Sequence, residues 1–290
     1  MKPISQRVAL GIGAKWPVTR PKGRYSGGFN QNTNRFMKKN RKAGSDSPTE
    51  TCCPVVELRQ YTLHPGKRDV LIDLFDGEFV ESQEAVGMKI IGQFRDLDDR
   101  DRFVWLRVFP DMPSRAEALQ NFYGGSVWKA HRETANATMI DSDNVLLLRP
   151  ASPDAGFSLD ENIRPGRGTS EIPKRLVLAT IYYFDAPVTD DFVGFFEDTM
   201  KPVTAAAGAT TLAYFVSEQS ENTFPALPVR QGENVFVWFA RFSDASACDC
   251  YLAALARSQL WRQKIAEELS RRLKGTPEIL KLSPTGRSLL

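Results

Sequence analysis

Two stretches decide how this chain is organised: Val56 to Leu63 reads VELRQYTL, and Val177 to Phe184 reads VLATIYYF. Both have the β-branched and aromatic content of strands, and Tyr61 falls over Tyr182 at a displacement of 121 residues. The same displacement puts Gly87 over Gly208. Further on, Phe103-Val104-Trp105 matches Phe236-Val237-Trp238, Val127-Trp128-Lys129 matches Leu260-Trp261-Arg262, and Leu146 to Arg149 matches Ile279 to Leu282, each displaced by 133. The extra twelve residues fall between Phe215 and Val235. One insertion in one surface loop leaves the rest in register, so the pattern reads as duplication of a unit of about 95 residues, whereas a solenoid needs shorter periods and more copies.

Periodicity inside each unit is consistent. Residues 55–63 and 176–184 are strands, and His64-Pro65-Gly66-Lys67 reads as a type II turn with Pro and Gly at its centre. Val70, Leu71, Leu74, Phe75 and Phe79 follow at helical spacing, as do Phe192, Phe195, Phe196 and Met200 in the second copy. A hairpin is expected over 88–95 with 102–109, and over 209–217 with 234–242. A second helix opens at Ser114, with Glu117 completing a capping box, and carries Trp128. The last strands are 144–149 and 278–282. The order β-α-β-β-α-β is that of a ferredoxin-like unit, so the expected class is α+β, with two tandem units whose antiparallel sheets pack as an α+β barrel. Each unit alone leaves one apolar sheet face bare, which requires closure within the chain or between copies of it. The expected division is a disordered basic tail (1–53), a first unit (54–150), a Pro-, Gly- and Ser-rich linker (151–174), a second unit (175–285) and a C-terminal tail (286–290).

With 42% hydrophobic and 25% charged residues, the composition excludes collagen-like, coiled-coil and largely disordered classes. No apolar run approaches the ~20 residues of a transmembrane helix. The net charge of +3 conceals an asymmetry: residues 1–50 hold eleven Lys and Arg against Asp46 and Glu50, a local +9, which leaves the other 240 residues at −6. A basic tail on an acidic body is not a nucleic-acid-binding domain, so no nucleic-acid partner is expected. The tail lacks the apolar segment of a signal peptide; a cytoplasmic protein is expected, with a mitochondrial transit peptide as the alternative reading, and Met37 is another conceivable start. The cysteines (Cys52, Cys53, Cys248 and Cys250) have no zinc-site spacing and read as reduced thiols; with His64 and His131 the only histidines, no metal and no cofactor are expected. There is no phosphate loop, no recognisable Ser/His/Asp set and no HExxH.

The stretch Glu57-Leu58-Arg59-Gln60-Tyr61-Thr62-Leu63-His64-Pro65-Gly66-Lys67, followed by Trp128, by Arg132-Glu133-Thr134-Ala135-Asn136-Ala137-Thr138-Met139-Ile140 and by Leu146-Leu147-Leu148-Arg149-Pro150, resembles the NIPSNAP family. The resemblance covers residues 55–150 closely and 176–285 more loosely. It implies the dimeric α+β barrel fold, in a superfamily that includes cofactorless oxygenases, haem-degrading enzymes and proteins of unknown role. The family itself has no settled mechanism. The second unit departs from the motif, with Asp185-Ala186-Pro187 in place of Pro-Gly and without the Ala-Asn element.

Duplicates share what a fold requires, so polar residues on a core-facing side in one copy only are candidates for function. Glu57, Arg59, Tyr61 and Leu63 share one strand face, and their counterparts are Leu178, Thr180, Tyr182 and Phe184. Trp128, Arg132 and Asn136 lie on one helical stripe whose counterparts are Trp261, Ile265 and Leu269. A buried Arg132 needs an anion, and Glu57 is the obvious one. Two readings follow. In the first, Glu57 with Arg59 or Arg132 forms a network that merely satisfies itself. In the second, Arg59, Tyr61, Arg132 and Asn136 line a pocket between helix and sheet, walled by Trp105, Tyr123 and Trp128, that takes a small apolar, aromatic or acidic molecule. His131 reads as a surface residue and His64 as part of the turn. As a function, handling a small apolar or aromatic molecule in the first unit stands against a non-catalytic scaffold that uses the barrel surface and basic tail. Were the chain an enzyme, it would be a metal-independent oxygenase or isomerase.

Overall fold

The computed structural model describes residues 54–159, 164–169 and 171–290. The expected tail, the possible start at Met37, Cys52 and Cys53 therefore lie outside the described residues. Among the described residues nine strands follow in chain order: β1 (Val55–Leu63), β2 (Lys89–Asp96), β3 (Arg102–Phe109), β4 (Met139–Asp141), β5 (Val145–Pro150), β6 (Leu176–Phe184), β7 (Thr210–Ser217), β8 (Asn234–Phe242) and β9 (Glu278–Pro284). Each unit has its first strand at the centre: β1 pairs with β3 and β5, and β6 pairs with β8 and β9. Two cross-unit pairings, β2 with β9 and β5 with β7, join the edges. Eight strands thereby close into an antiparallel barrel in the order β3-β2-β9-β6-β8-β7-β5-β1, and β4 flanks the end of β1. Closure within one chain leaves the main sheet without a free edge.

Strand alternation sorts the side chains into two layers. Val56, Leu58, Val104, Leu106, Leu146 and Leu148 of the first unit meet Val177, Ala179, Ile181, Val237, Phe239 and Leu282 of the second inside the barrel. The bare apolar faces thus cover each other, as two units with one bare sheet face each require. The opposite faces carry the helices. Over the first unit lie α1 (Arg68–Leu74), α2 (Val80–Glu84), α3 (Met112–Gly124) and α4 (Ser126–Asn136); over the second lie α5 (Asp190–Phe195), α6 (Lys201–Ala206), α7 (Ala245–Arg257) and α8 (Ala266–Arg272). A π-turn joins α1 to α2 (Phe75–Phe79), and another joins α5 to α6 (Phe196–Met200), at the same displacement of 121. Each of these helices ends at a glycine with positive φ, Gly87 (+97°) and Gly208 (+112°), a conformation costly for other residues.

Four expectations need correction. The α3 cap is Asp111, whose carboxylate accepts the Ser114 N–H at 2.6 Å, and Asp244 repeats the arrangement on Ala247 at 2.8 Å. The expected capping box at Ser114 and Glu117 starts the helix too late. The second helix of the first unit is also two helices, broken at Gly125. A third correction concerns register: Val56 faces Leu148 and Val177 faces Leu282, so the last strands are displaced by 134 and not 133. The extra residue is a π-turn at Trp261–Ile265, absent from α4, where the i→i+5 bond admits one residue more than an α-turn. Finally, parts of the expected linker and C-terminal tail are packed: Phe157 and Leu290 sit in the barrel interior, and Arg287 donates to the Pro165 carbonyl at 3.0 Å and pairs with Glu81.

Candidate functional site

Between sheet and helices of the first unit, Glu57 is the hub of a fully buried ionic cluster. Its Oε2 accepts from Arg59 Nη1 at 2.7 Å and from Arg107 Nε at 2.6 Å, and its Oε1 accepts from Arg115 Nε at 2.6 Å. All four side chains are 0% exposed, so these are charge-assisted bonds in a dry interior. Burial alone would raise the Glu57 pKa, but Arg107, Arg59 and Arg115 hold the carboxyl far below the usual range. Burial works against the charge of Arg59 too, yet Tyr61 and Glu57 raise its pKa on balance. Arg59 Nε donates to the Tyr61 hydroxyl at 3.0 Å, and burial pushes that phenol up. Arg107 donates to Gln83 Oε1 at 3.2 Å and lies 5.1 Å over the Trp105 ring. Tyr123 packs edge-on against Trp128 at 4.9 Å and lies within 6.0 Å of Arg107.

The structure therefore gathers Glu57, Arg59, Tyr61, Trp105, Tyr123 and Trp128 as expected. It does not bring in Arg132, which is half-buried, or Asn136, which is exposed. The misplacement follows from the register slip. Allowing for the π-turn, buried Ile265 and Leu269 correspond to His131 and Ala135, and Ala135 is, with Trp128, one of the two buried residues of α4. His131 lies half-exposed, 3.8 Å from the Glu78 carboxylate, with its ring against Phe79. Sequence reasoning missed Arg107 and Arg115. A signal existed: at displacement 133 their counterparts are Ala240 and Cys248, both buried, so the comparison that singled out Glu57 and Arg59 also reaches them when carried onto β3 and α3. Cys250, two residues on, is exposed, as opposite helix faces require, and both thiols are free.

The same layer of the second unit is built differently. Glu57, Arg59, Arg107 and Arg115 become Leu178, Thr180, Ala240 and Cys248, and three long guanidinium side chains give way to short neutral ones. A cavity of about 700 Å³ lies there, lined by Leu178, Thr180, Tyr182, Trp238, Tyr251 and Leu255 among others. Its walls are mostly apolar, with phenols whose pKa values burial pushes up, so both stay protonated as hydrogen-bond donors at neutral pH. The indole of Trp238 offsets a little of the rise at Tyr182, although its Nε1 completes no hydrogen bond. Among the described residues, no cluster of His, Cys, Asp and Glu is placed to hold a metal ion, and no helix is long and apolar enough to cross a membrane.

Residues 56–153 match the NIPSNAP family model. No curated protein matches the chain. Among solved structures, an anthrone oxidase-like protein is 13% identical, with 80% of this chain and 91% of that one covered at a TM-score of 0.50, which makes the barrel a shared fold. A candidate monooxygenase from Lactobacillus acidophilus is 15% identical over 80% of this chain and 94% of that one, at a TM-score of 0.49. An uncharacterised NIPSNAP domain protein from Burkholderia xenovorans is 17% identical over 34% of this chain and 95% of its own, at a TM-score of 0.32.

Proposed function

We propose that this chain, whose residues 56–153 match the NIPSNAP family model and are joined in one barrel to a second unit of the same topology, is a duplicated NIPSNAP-type protein that binds a small apolar or aromatic molecule, and that the molecule sits in the second unit. The observation that carries this reading is the cavity of about 700 Å³ beside Thr180, Tyr182 and Trp238. That volume lies within the roughly 300–1,000 Å³ of small-molecule pockets, and a mostly apolar wall with a few polar groups is their usual chemistry. Thr180, Tyr182 and Tyr251 supply hydroxyls that orient a ligand, while Leu178, Leu252, Leu255 and Leu269 bury its body. The first unit, expected as the working half, spends the equivalent space on its own ion pairs.

The scaffold reading tolerates a self-paired Glu57, and Glu57 is paired with Arg59, Arg107 and Arg115. It has no use for the second-unit cavity, and this favours ligand binding. The test is a fluorescence titration with N-phenyl-1-naphthylamine, an uncharged aromatic probe. Wild type should bind it saturably, and Leu252→Trp, which fills the mouth, should weaken binding at least tenfold, equivalent to about 1.4 kcal/mol. Binding that Leu252→Trp leaves untouched would remove the cavity from consideration.

A further inference from the structure

The Glu57 cluster is satisfied at its carboxylate but not at its cations. Three guanidiniums share one carboxylate, an excess of two positive charges in a layer where all four side chains are fully buried. A further acid that feels Arg59 is Asp143, an exposed residue between β4 and β5, outside the ring of bonds. Each arginine keeps a buried terminal amino group, Nη2, without a hydrogen-bond partner, and the Trp105 indole N–H beside them has none. Burial lowers the pKa of Arg115, and Arg107 and Arg59 push it the same way. Unpaired buried donors and surplus charge are costly, which is the condition an incoming anion relieves.

What covers this cluster comes from the other unit. The twelve inserted residues lie in the 218–233 loop between β7 and β8, which is anchored on the first unit: Glu218 N–H donates to the Leu147 carbonyl and Arg230 N–H to the Val145 carbonyl, both at 2.8 Å. At its crest, Asn222 Oδ1 and Thr223 Oγ1 accept from Arg115 Nη1 at 3.0 and 3.1 Å, and Phe224 stacks on Tyr123 at 5.9 Å with the rings 19° from parallel. The tripeptide thus offers Arg115 two uncharged oxygens and Tyr123 an aromatic ring. One small molecule presents both chemistries at once, with a real charge in place of a dipole. We propose that Arg115, backed by Arg59 and Arg107, binds the carboxylate of a small aromatic acid, and that the 218–233 loop is the lid this ligand displaces. The lid acts as a tethered stand-in that fills the site until the acid arrives. Trp105, Tyr123 and Trp128 form the aromatic wall, and a guanidinium fork fits the two oxygens of a carboxylate. The hairpin of the first unit is short, ending β2 at Asp96 and opening β3 at Arg102, and residues 97–101 do not line the second-unit cavity.

The test titrates the full chain with sodium benzoate at constant ionic strength and follows the melting temperature. Wild type should show a saturable rise, and Arg115→Gln should shift its half-saturation upward by at least tenfold. Asn222→Asp places a carboxylate within reach of Arg115 from inside the lid and should abolish the benzoate response by competition. Phe224→Ala empties the ring position and should lower the half-saturation. Inorganic phosphate should give less than a tenth of the benzoate response. The proposal is overturned if wild type shows no response, if the response survives in both Arg115→Gln and Asn222→Asp, if Phe224→Ala weakens binding, or if phosphate matches benzoate.

Discussion

The two units of this barrel put one strand order and one helix arrangement to opposite uses. In the first, the layer between sheet and helices is packed with Glu57, Arg59, Arg107 and Arg115; in the second, Leu178, Thr180, Ala240 and Cys248 leave a cavity of about 700 Å³. The barrel interior is apolar in both, since Val56 and Val177, or Leu148 and Leu282, share one core. The face that the two units bury against each other is constrained by both at once. The outer layer is buried by each unit separately, so an ionic cluster on one side and a pocket on the other are compatible with one barrel.

The sharpest way to break this comparison is Glu57→Leu, which installs the second-unit residue and leaves three buried arginines without a carboxylate. We expect a loss of ~3–5 kcal/mol in urea unfolding. Converting the whole set, with Arg59→Thr, Arg107→Ala and Arg115→Cys added, should shrink that loss, because the charges leave together. A fourfold variant as unstable as the single one would mean that stranded arginine charge is not what makes Glu57→Leu costly.

Acid acts on the same carboxylate. The folded Glu57 pKa lies far below the ordinary value of 4.5, so its contribution is present in full above that value and fades as pH falls from it toward the folded pKa. Glu81, lowered to about 2 by the hydrogen bonds from Arg287, loses its contribution between 4.5 and about 2. Unfolding midpoints measured from pH 6 to pH 3 should therefore decline below about 4.5, and Glu57→Leu should flatten that decline. An equally steep decline in the variant would acquit Glu57.

The tyrosine pair gives a smaller effect. Tyr61→Phe strands the buried Arg59 Nε, which donates to the phenol at 3.0 Å, and should cost ~1.5–3 kcal/mol. The Trp238 indole beside the Tyr182 hydroxyl completes no hydrogen bond, so Tyr182→Phe should cost below about 1 kcal/mol. Equal losses from the two changes would contradict the contrast between the units. Least of all should matter Arg132→Leu, a half-buried helix position away from Glu57, expected to stay within about 0.5 kcal/mol of wild type by the same melts.

Much of the fold was legible before any coordinates. Alternation and aromatic content placed β1, β6 and both hairpins within a residue or two, because strand character is a property of a few consecutive side chains. The repeat identified the twelve-residue insertion from spacing alone, and the charges lost between the copies pointed to Glu57 and Arg59. The partners of Glu57 were not legible. Arg107 and Arg115 lie 50 and 58 residues away along the chain, and only strand pairing and the docking of α3 bring them within 2.6 Å. Nor does a π-turn leave a compositional mark: the extra residue at Trp261–Ile265 makes His131 and Ala135, not Arg132 and Asn136, the counterparts of buried Ile265 and Leu269. The location of the cavity was decided last of all, because the space in a layer is the difference between what it can hold and what its side chains fill, and that difference exists only once the helices of the second unit have docked on its sheet.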